Sequence, residues 1–95
     1  MQFKAEVYVT LKRVVNDPQG LTIRGGLAQL GFAGVSAVRA GKFLEVWLNA
    51  ADKADAERQV DAMCDKLLAN PVIEDYRFEL RVAEANGPTP EASHK

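Results

Sequence analysis

Three segments of the sequence alternate between apolar and polar side chains, and this pattern constrains the fold more than any other feature. The segments are residues 3–12, 43–50 and 72–82. A period of two places apolar side chains on one face of a strand and polar side chains on the other, so the pattern predicts three half-buried strands. The face predicted to lie under helices carries Val7, Val9, Leu44, Val46, Leu48, Phe78 and Leu80.

The segment after the first strand has the features of a helix start. Asp17 can accept hydrogen bonds from the first free backbone N–H groups, and Pro18 suits the first helical position. Apolar residues then recur at helical spacing from Ile23 to Leu30. Gly31 is expected just beyond the end of this helix, where glycine is the preferred residue.

Three glycines weaken this first helix. Gly20 in the first turn indicates a local constraint, and Gly25 and Gly26 each cost about 1 kcal/mol relative to alanine. Because glycine permits close approach of two backbones, we interpret Gly25 and Gly26 as a point of close packing between the helix and the sheet.

A second helix is predicted to begin at Asp52 and to end at Asn70. Pro71 explains its end, because proline lacks an N–H group and disfavours helical geometry in the residue before it. The buried stripe of this helix is predicted to contain Val60, Met63, Cys64, Leu67 and Leu68.

Residues 35–40 are predicted to form a further short strand, joined to the next strand by a hairpin turn at Gly41 and Lys42. The element order is then strand, helix, strand, strand, helix, strand. This order predicts an α+β fold of ferredoxin-like βαββαβ type, with a four-stranded antiparallel sheet and two helices on one face.

The face of the sheet that points away from the helices is predicted to carry Tyr8, Phe43 and Trp47. An exposed group of aromatic side chains usually marks an interface, so these residues are the candidate oligomer face. The alternative is that the sheet coils and the rings lie under a loop.

Residues 1–82 are predicted to form one small domain, and residues 83–95 a disordered C-terminal tail. The tail has no large apolar residue and cannot offset the entropy lost on ordering. It contains His94, the only histidine of the 95-residue chain.

The composition argues against several classes of function. A net charge of −1 and a pI near 5.8 lack the basic surface of a nucleic-acid binder. No apolar run is long enough to span a membrane, and the N-terminus has no signal-peptide pattern. The single cysteine, Cys64, favours a reducing cytoplasm. No nucleophile with a base, no catalytic carboxylate pair and no metal-binding spacing is evident, so no catalytic, metal or cofactor-binding residue is predicted.

Arg39 and Lys42 flank the predicted glycine turn and are the best candidates for a contact site. Two cations there could bind a carboxylate or a phosphate. The alternative is an ordinary solvated turn, because exposed charges contribute little by themselves.

Several short motifs in one order resemble the PurS family, the small subunit of phosphoribosylformylglycinamidine synthase. The resemblance extends from about Phe3 to Leu80. The motifs are VYVTLK at residues 7–12, DPQG at 17–20, LGF at 30–32, VSAVRAGK at 35–42 and CDKLLANPVIE at 64–74.

The resemblance implies a ferredoxin-like βαββαβ subunit that is not catalytic alone and forms a homodimer or homotetramer. It implies two partners, the large synthetase subunit (PurL) and the glutaminase subunit (PurQ). The glutaminase releases ammonia from glutamine, and the synthetase uses ATP and magnesium to aminate formylglycinamide ribonucleotide. The candidate partner-contact or motif residues are Asp17, Pro18, Gly20, Arg39, Gly41, Lys42, Asn70, Pro71 and Glu74.

Three alternatives of similar topology are also compatible with the sequence. An RNA-binding module would stack bases on the aromatic side chains of its sheet. A regulatory domain would bind small molecules between paired sheets, and a small enzyme would need an acid–base pair that the sequence does not reveal.

Overall fold

A computed structural model describes residues 1–83 of the chain, so the predicted tail lies outside the described residues except for Ala83. Three strands and two α-helices confirm an α+β fold. In chain order the elements are β1 (Gln2–Leu11), α1 (Pro18–Gln29), β2 (Gly41–Asn49), α2 (Lys53–Met63), a π-helical segment (Cys64–Leu68) and β3 (Glu74–Val82).

β1 is the central strand of the sheet, and β2 and β3 each pair with it in the antiparallel direction. In this register Val7 lies opposite Leu44 on one side and Phe78 on the other. Residues that lie opposite each other point to the same face, so the apolar alternations of the three strands coincide. The three strands and their predicted inner face are confirmed.

The inner face of the sheet packs against α2 and the π-helical segment. Four apolar side chains of β1 on this face, Phe3, Ala5, Val7 and Val9, are at most 2% exposed, and Leu11 at the end of the strand is half-buried. Most of the side chains between them are half-buried as well. The helical side contributes Ala56, Val60 and Cys64, each with no exposed surface. Tyr76 adds a polar link, because its hydroxyl donates a 2.7 Å hydrogen bond to Asp61 on α2.

Residues 1–83 form three strands and not the four that were predicted, because residues 35–40 pair with no strand in this part of the chain. Two of their backbone groups bond to side chains instead. The N–H of Ala40 donates to the Asp17 carboxylate at 2.8 Å, and the carbonyl of Val35 accepts from Arg24 Nε at 3.3 Å. The described residues therefore form a three-stranded variant of the expected arrangement.

The predicted hairpin turn at Gly41 and Lys42 is also wrong. Gly41 opens β2 and lies opposite Thr10 in the ladder with β1. A Cβ atom at Gly41 would lie 2.3 Å from the carbonyl oxygen of Val9. Glycine is therefore required here because two backbones approach closely, rather than because a turn needs a positive φ.

α1 does not pack on the sheet as a second helical layer, so the prediction of two helices on one face is corrected. Its only buried residue is Gly20, and none of its side chains belongs to the core. Asp17 and Pro18 occupy the N-cap and first helical positions as predicted. Gly31, with φ of +100°, follows the helix end, and the N–H of Phe32 donates to the carbonyl of Leu27 at 2.9 Å.

The glycine pair in α1 is not explained by packing within this chain. Cβ atoms added at Gly25 and Gly26 would meet nothing within 4 Å. The interpretation of close packing on the sheet is therefore wrong for the described residues. The apolar face of α1 is open as well, with Ile23 41% exposed and Leu30, the residue that caps the helix end, 75% exposed.

The second helix begins at Lys53 after an Asp52 cap, as predicted, but ends earlier than Asn70. Its last turn widens into the π-helical segment, and Ala69 is already extended with φ of −133° and ψ of 156°. A tight turn then leads into β3, which starts at Glu74 rather than at residue 72. Leu67, placed on the buried stripe by its spacing, is 83% exposed because the π-helical geometry shifts its direction.

Two glycine substitutions in α1 should have opposite effects. A Cβ at Gly20 would lie 2.1 Å from the carbonyl oxygen of Val38, so Gly20→Ala should lower the free energy of unfolding by about 2–4 kcal/mol. Gly25→Ala meets open space and should raise it by about 0.5–1 kcal/mol. Urea unfolding of the two variants measures both effects. Equal effects of the two substitutions would contradict the placement of Gly20.

Candidate partner-contact site

The motif residues of the sequence gather at one end of the sheet. At this end β1 finishes at Leu11, β2 begins at Gly41 and β3 begins at Glu74. Two connections also meet there. One is the long connection from β1 to β2 through α1, residues 12–40, called the excursion below, and the other is the turn at Asn70 and Pro71. Residues that are far apart in the chain are therefore neighbours around the last residues of β1.

The Asp17 carboxylate closes the long excursion. Its Oδ1 accepts a hydrogen bond from the N–H of Gly20 at 2.9 Å, and its Oδ2 accepts one from the N–H of Ala40 at 2.8 Å. The side chain is 5% exposed. The Gly20 and Ala40 hydrogen bonds and the Arg39 charge hold the pKa of Asp17 below its usual 3.8, against the opposing effect of burial.

Arg39 ties the same excursion to the end of β1. Its Nη2 donates to the carbonyl oxygens of Leu11 and Lys12 at 3.0 and 2.8 Å, and its Nη1 donates to that of Val15 at 3.4 Å. The guanidinium is thus held by the chain itself instead of standing at the tip of a hairpin. Lys42 makes only a 3.4 Å contact to the carbonyl of Leu68.

The turn before β3 forms the second part of this end. The Glu74 carboxylate accepts from the N–H of Asn70 at 2.7 Å, and the Asn70 side-chain oxygen accepts from the N–H of Val72 at 3.1 Å. Pro71 lies exposed between them. The N–H of Lys12 donates to the carbonyl of Ile73 at 2.9 Å, which attaches this turn to the end of β1.

An open cleft of about 420 Å³ lies between the loop after β1, the first turns of α1 and residues 36–39. The charged side chains that line it are Arg13, Asp17, Arg24 and Arg39. Sequence analysis identified Asp17 and Arg39 but missed Arg13 and Arg24. Neither follows a local pattern, because the fold of the excursion alone brings them together.

The candidate oligomer face lies on the opposite side of the sheet from α2, as predicted. The ring centres of Tyr8 and Phe43 are 5.1 Å apart. The Arg77 guanidinium lies 4.0 Å from the centre of Tyr8, and Lys4 Nζ lies 5.4 Å from that of Trp47. Phe43 remains 53% exposed, whereas Tyr8 and Trp47 are half-buried.

Ion pairs occupy the rest of this face. Lys4 contacts Glu45 at 2.7 Å, and Arg81 contacts Glu6 at 3.0 Å. The hydrogen bond to Glu45 is the largest of the effects that raise the pKa of Lys4. The face therefore combines aromatic side chains with paired charges, and its aromatic side chains are of the kind enriched at protein interfaces.

The described residues show little that could perform chemistry. Within residues 1–83, no group of three or more His, Cys, Asp or Glu side chains could hold a metal ion. Burial raises the pKa of the Cys64 thiol, which disfavours the reactive thiolate. The hydrogen bond to Asp61 raises the pKa of Tyr76 to about 12.

Asp17→Asn should destabilise the protein at neutral pH, because an amide cannot accept from both Gly20 and Ala40. The folded-state pKa of Asp17 is lowered, so the stability it contributes is present above its usual value of 3.8 and is lost as the pH falls through the folded-state pKa. The difference in free energy of unfolding between variant and wild type should therefore shrink as the pH is lowered from about 5 to about 2. Urea unfolding at a series of pH values measures this.

The control for this experiment is Asp65→Asn, on the exposed side of the π-helical segment. It should leave the free energy of unfolding at neutral pH within about 0.5 kcal/mol of wild type. If the free energies of unfolding of Asp17→Asn and wild type differ by the same amount down to the lowest pH, the ionised carboxylate does not stabilise the fold as described.

Comparison with known proteins connects this geometry to one family. The sequence profile of PurS, described as phosphoribosylformylglycinamidine (FGAM) synthase, matches residues 4–82. The PurS subunit of the synthase from a Synechocystis species is 51% identical over 82 residues, which cover 86% of this chain and 82% of that subunit. The PurS subunit from Bacillus subtilis is 45% identical over 78 residues, which cover 82% of this chain and 92% of that subunit.

Solved structures agree with these matches. PurS of Bacillus subtilis superposes with a TM-score of 0.76 at 44% identity, covering 83% of this chain and 98% of that one. A chain from the structure of PurLQS from Thermotoga maritima superposes with a TM-score of 0.79 at 32% identity. The superposition covers 85% of this chain and 99% of that chain. None of the helices within residues 1–83 has the length and apolar character needed to cross a membrane. With a match from residue 4 to residue 82 and a relative that is 51% identical over 86% of this chain, the chain belongs to the PurS family of phosphoribosylformylglycinamidine synthase subunits.

Proposed function

We propose that this chain is the small subunit of a phosphoribosylformylglycinamidine synthase and acts in purine biosynthesis by holding a large synthetase subunit (PurL) and a glutaminase subunit (PurQ) together. The observation that carries the proposal is the match to PurS subunits along residues 4–82, including a chain from a PurLQS structure. This match favours the proposal over an RNA-binding module or a small regulatory domain. A cytoplasmic location stays a prediction.

In this proposal the chain supplies contact surface, and its partners supply the reacting groups. The glutaminase releases ammonia from glutamine, and the synthetase uses ATP and magnesium to transfer it to formylglycinamide ribonucleotide. Ammonia that escapes into water is protonated and diluted, so the two active sites must stay connected. A small subunit that fixes their relative position contributes to the rate without its own catalytic residue.

We also propose that copies of this chain associate through the outer face of the sheet. Within the described residues no layer covers this face, and Phe43 is more than half exposed there. α1 and the segment that follows it add further uncovered apolar side chains, with Leu21 on the helix and Phe32 after it each 57% exposed. Exposed apolar surface of this kind on a small domain is typical of an interface, and a homodimer or homotetramer would bury it.

Reconstitution tests the proposed role in ammonia transfer. Glutamine-dependent product formation by the large synthetase and glutaminase subunits should fall by at least about tenfold when this chain is omitted. A high concentration of external ammonia should restore part of the activity, because it bypasses the glutaminase. Undiminished turnover with glutamine in the absence of this chain would contradict the proposal.

Sedimentation velocity at micromolar concentration tests the oligomer face. Phe43→Asp places a charge where an apolar contact is proposed and should shift the protein to a smaller species, because burying an unpaired carboxylate is costly. Leu67→Asp is the matched control, since Leu67 is 83% exposed on the opposite side of the sheet, and it should not change the association state. If wild type is a monomer, or if Phe43→Asp has the same association state as wild type, copies of the chain do not associate through this face.

A further inference from the structure

We propose that the cleft lined by Arg13, Arg24 and Arg39, called the arginine cleft below, is the docking site for an acidic segment of a partner subunit. The inference rests on the proposed function, because it identifies where one of the two larger subunits contacts this chain. The expected segment carries an aspartate or glutamate next to apolar side chains. The positions and partners of the three arginines support the proposal, together with the apolar rim of the cleft.

The three guanidinium groups give the cleft an excess of positive charge on a chain whose net charge is −1. Within residues 1–83, none of the three forms an ion pair, although several other cations of the chain do. Asp17 is the only carboxylate among the lining residues, and both of its oxygens already accept backbone hydrogen bonds. The cleft is therefore electrostatically complementary to an anion from outside the chain.

The cleft is held in shape before any partner arrives. Arg39 is fixed by the carbonyl oxygens of Leu11, Lys12 and Val15, and the wall formed by residues 36–39 is anchored where Asp17 accepts from Ala40. Arg24 Nε donates to the carbonyl of Val35, which leaves its two terminal nitrogens for an incoming group. Preorganised donors lose little entropy on binding, and guanidinium groups bind carboxylates in bidentate geometry.

The rim of the cleft favours a protein segment over a small anion alone. Val14 is 93% and Leu21 57% exposed, and both line the cleft beside the arginines. A second cavity of about 380 Å³ shares Arg13 and Arg39, so the basic surface continues beyond the first cleft. A strip that is both apolar and basic matches an extended segment with alternating apolar and acidic side chains, and arginine is enriched at such contacts.

The test is the affinity of the full chain for the complex of synthetase and glutaminase subunits, measured by calorimetry. The double substitution Arg13→Glu and Arg24→Glu reverses the charge of the cleft without touching Arg39, which holds the fold. Affinity should fall by at least about tenfold at about 0.1 M salt, and the difference should shrink at high salt because charges at an interface rim are screened. The melting temperature should stay within a few degrees of wild type, because the hydrogen bond that the variant loses, from Arg24 to Val35, is exposed.

The matched control reverses two cations elsewhere. Lys53→Glu and Lys66→Glu change the net charge by the same amount at exposed positions on α2 and the π-helical segment. This variant should bind the larger subunits within about twofold of wild type. An equal loss of affinity in both double variants would mean that overall charge matters, and it would overturn the assignment to the cleft.

Two further outcomes separate the inference from the proposed function. If wild type supports glutamine-dependent synthesis and the Arg13→Glu, Arg24→Glu variant binds as tightly as wild type, the cleft proposal fails and the proposed function stands. If wild type binds neither larger subunit, both fail. Pyrophosphate serves as a small-anion probe: stabilisation of wild type that is lost in the variant, with subunit binding unchanged, would assign the cleft to a free anion and overturn docking.

Discussion

The hydrogen bonds of the Asp17 carboxylate are the constraint on which the arrangement of this chain depends. They connect the start of α1, through Gly20, to the residue that precedes β2, through Ala40. The chain between them leaves the sheet and returns to the same point, so β2 enters beside the end of β1. Because a carboxylate has two oxygens, one side chain can hold both ends of this excursion. The same two hydrogen bonds lower the pKa of Asp17, because they stabilise its ionised form.

The strands were predictable from the sequence because period-two alternation directly reports a surface that is buried on one side only. The same pattern placed Tyr8 and Phe43 together on the outer face, and the register places them opposite each other. Residues 35–40 have the composition of a strand but lack a partner strand, and two of their backbone groups bond to side chains. Composition reports the tendency to form a strand, whereas pairing depends on tertiary structure.

The candidate site was predictable only in part. Asp17, Pro18 and Gly31 follow local rules of helix capping, so their positions could be derived from neighbouring residues. The role of Arg39 could not, because its three acceptors are carbonyls of the last residue of β1 and of the loop after it, which are distant in the sequence. Arg13 and Arg24 line the same cleft only because the excursion folds back. Residues joined by tertiary structure alone leave no periodic signal for sequence analysis to detect.

The core of this chain explains why assembly and folding are related in it. α2 and the π-helical segment cover one face of a three-stranded sheet, and α1 contributes no side chain to the core. A small domain with a single layer of packing gains little apolar burial to oppose conformational entropy. Any chain that binds the outer face, the open side of α1 or the arginine cleft adds its binding free energy to the folded state. The uncovered surfaces are thus both the means of contact and a source of stability.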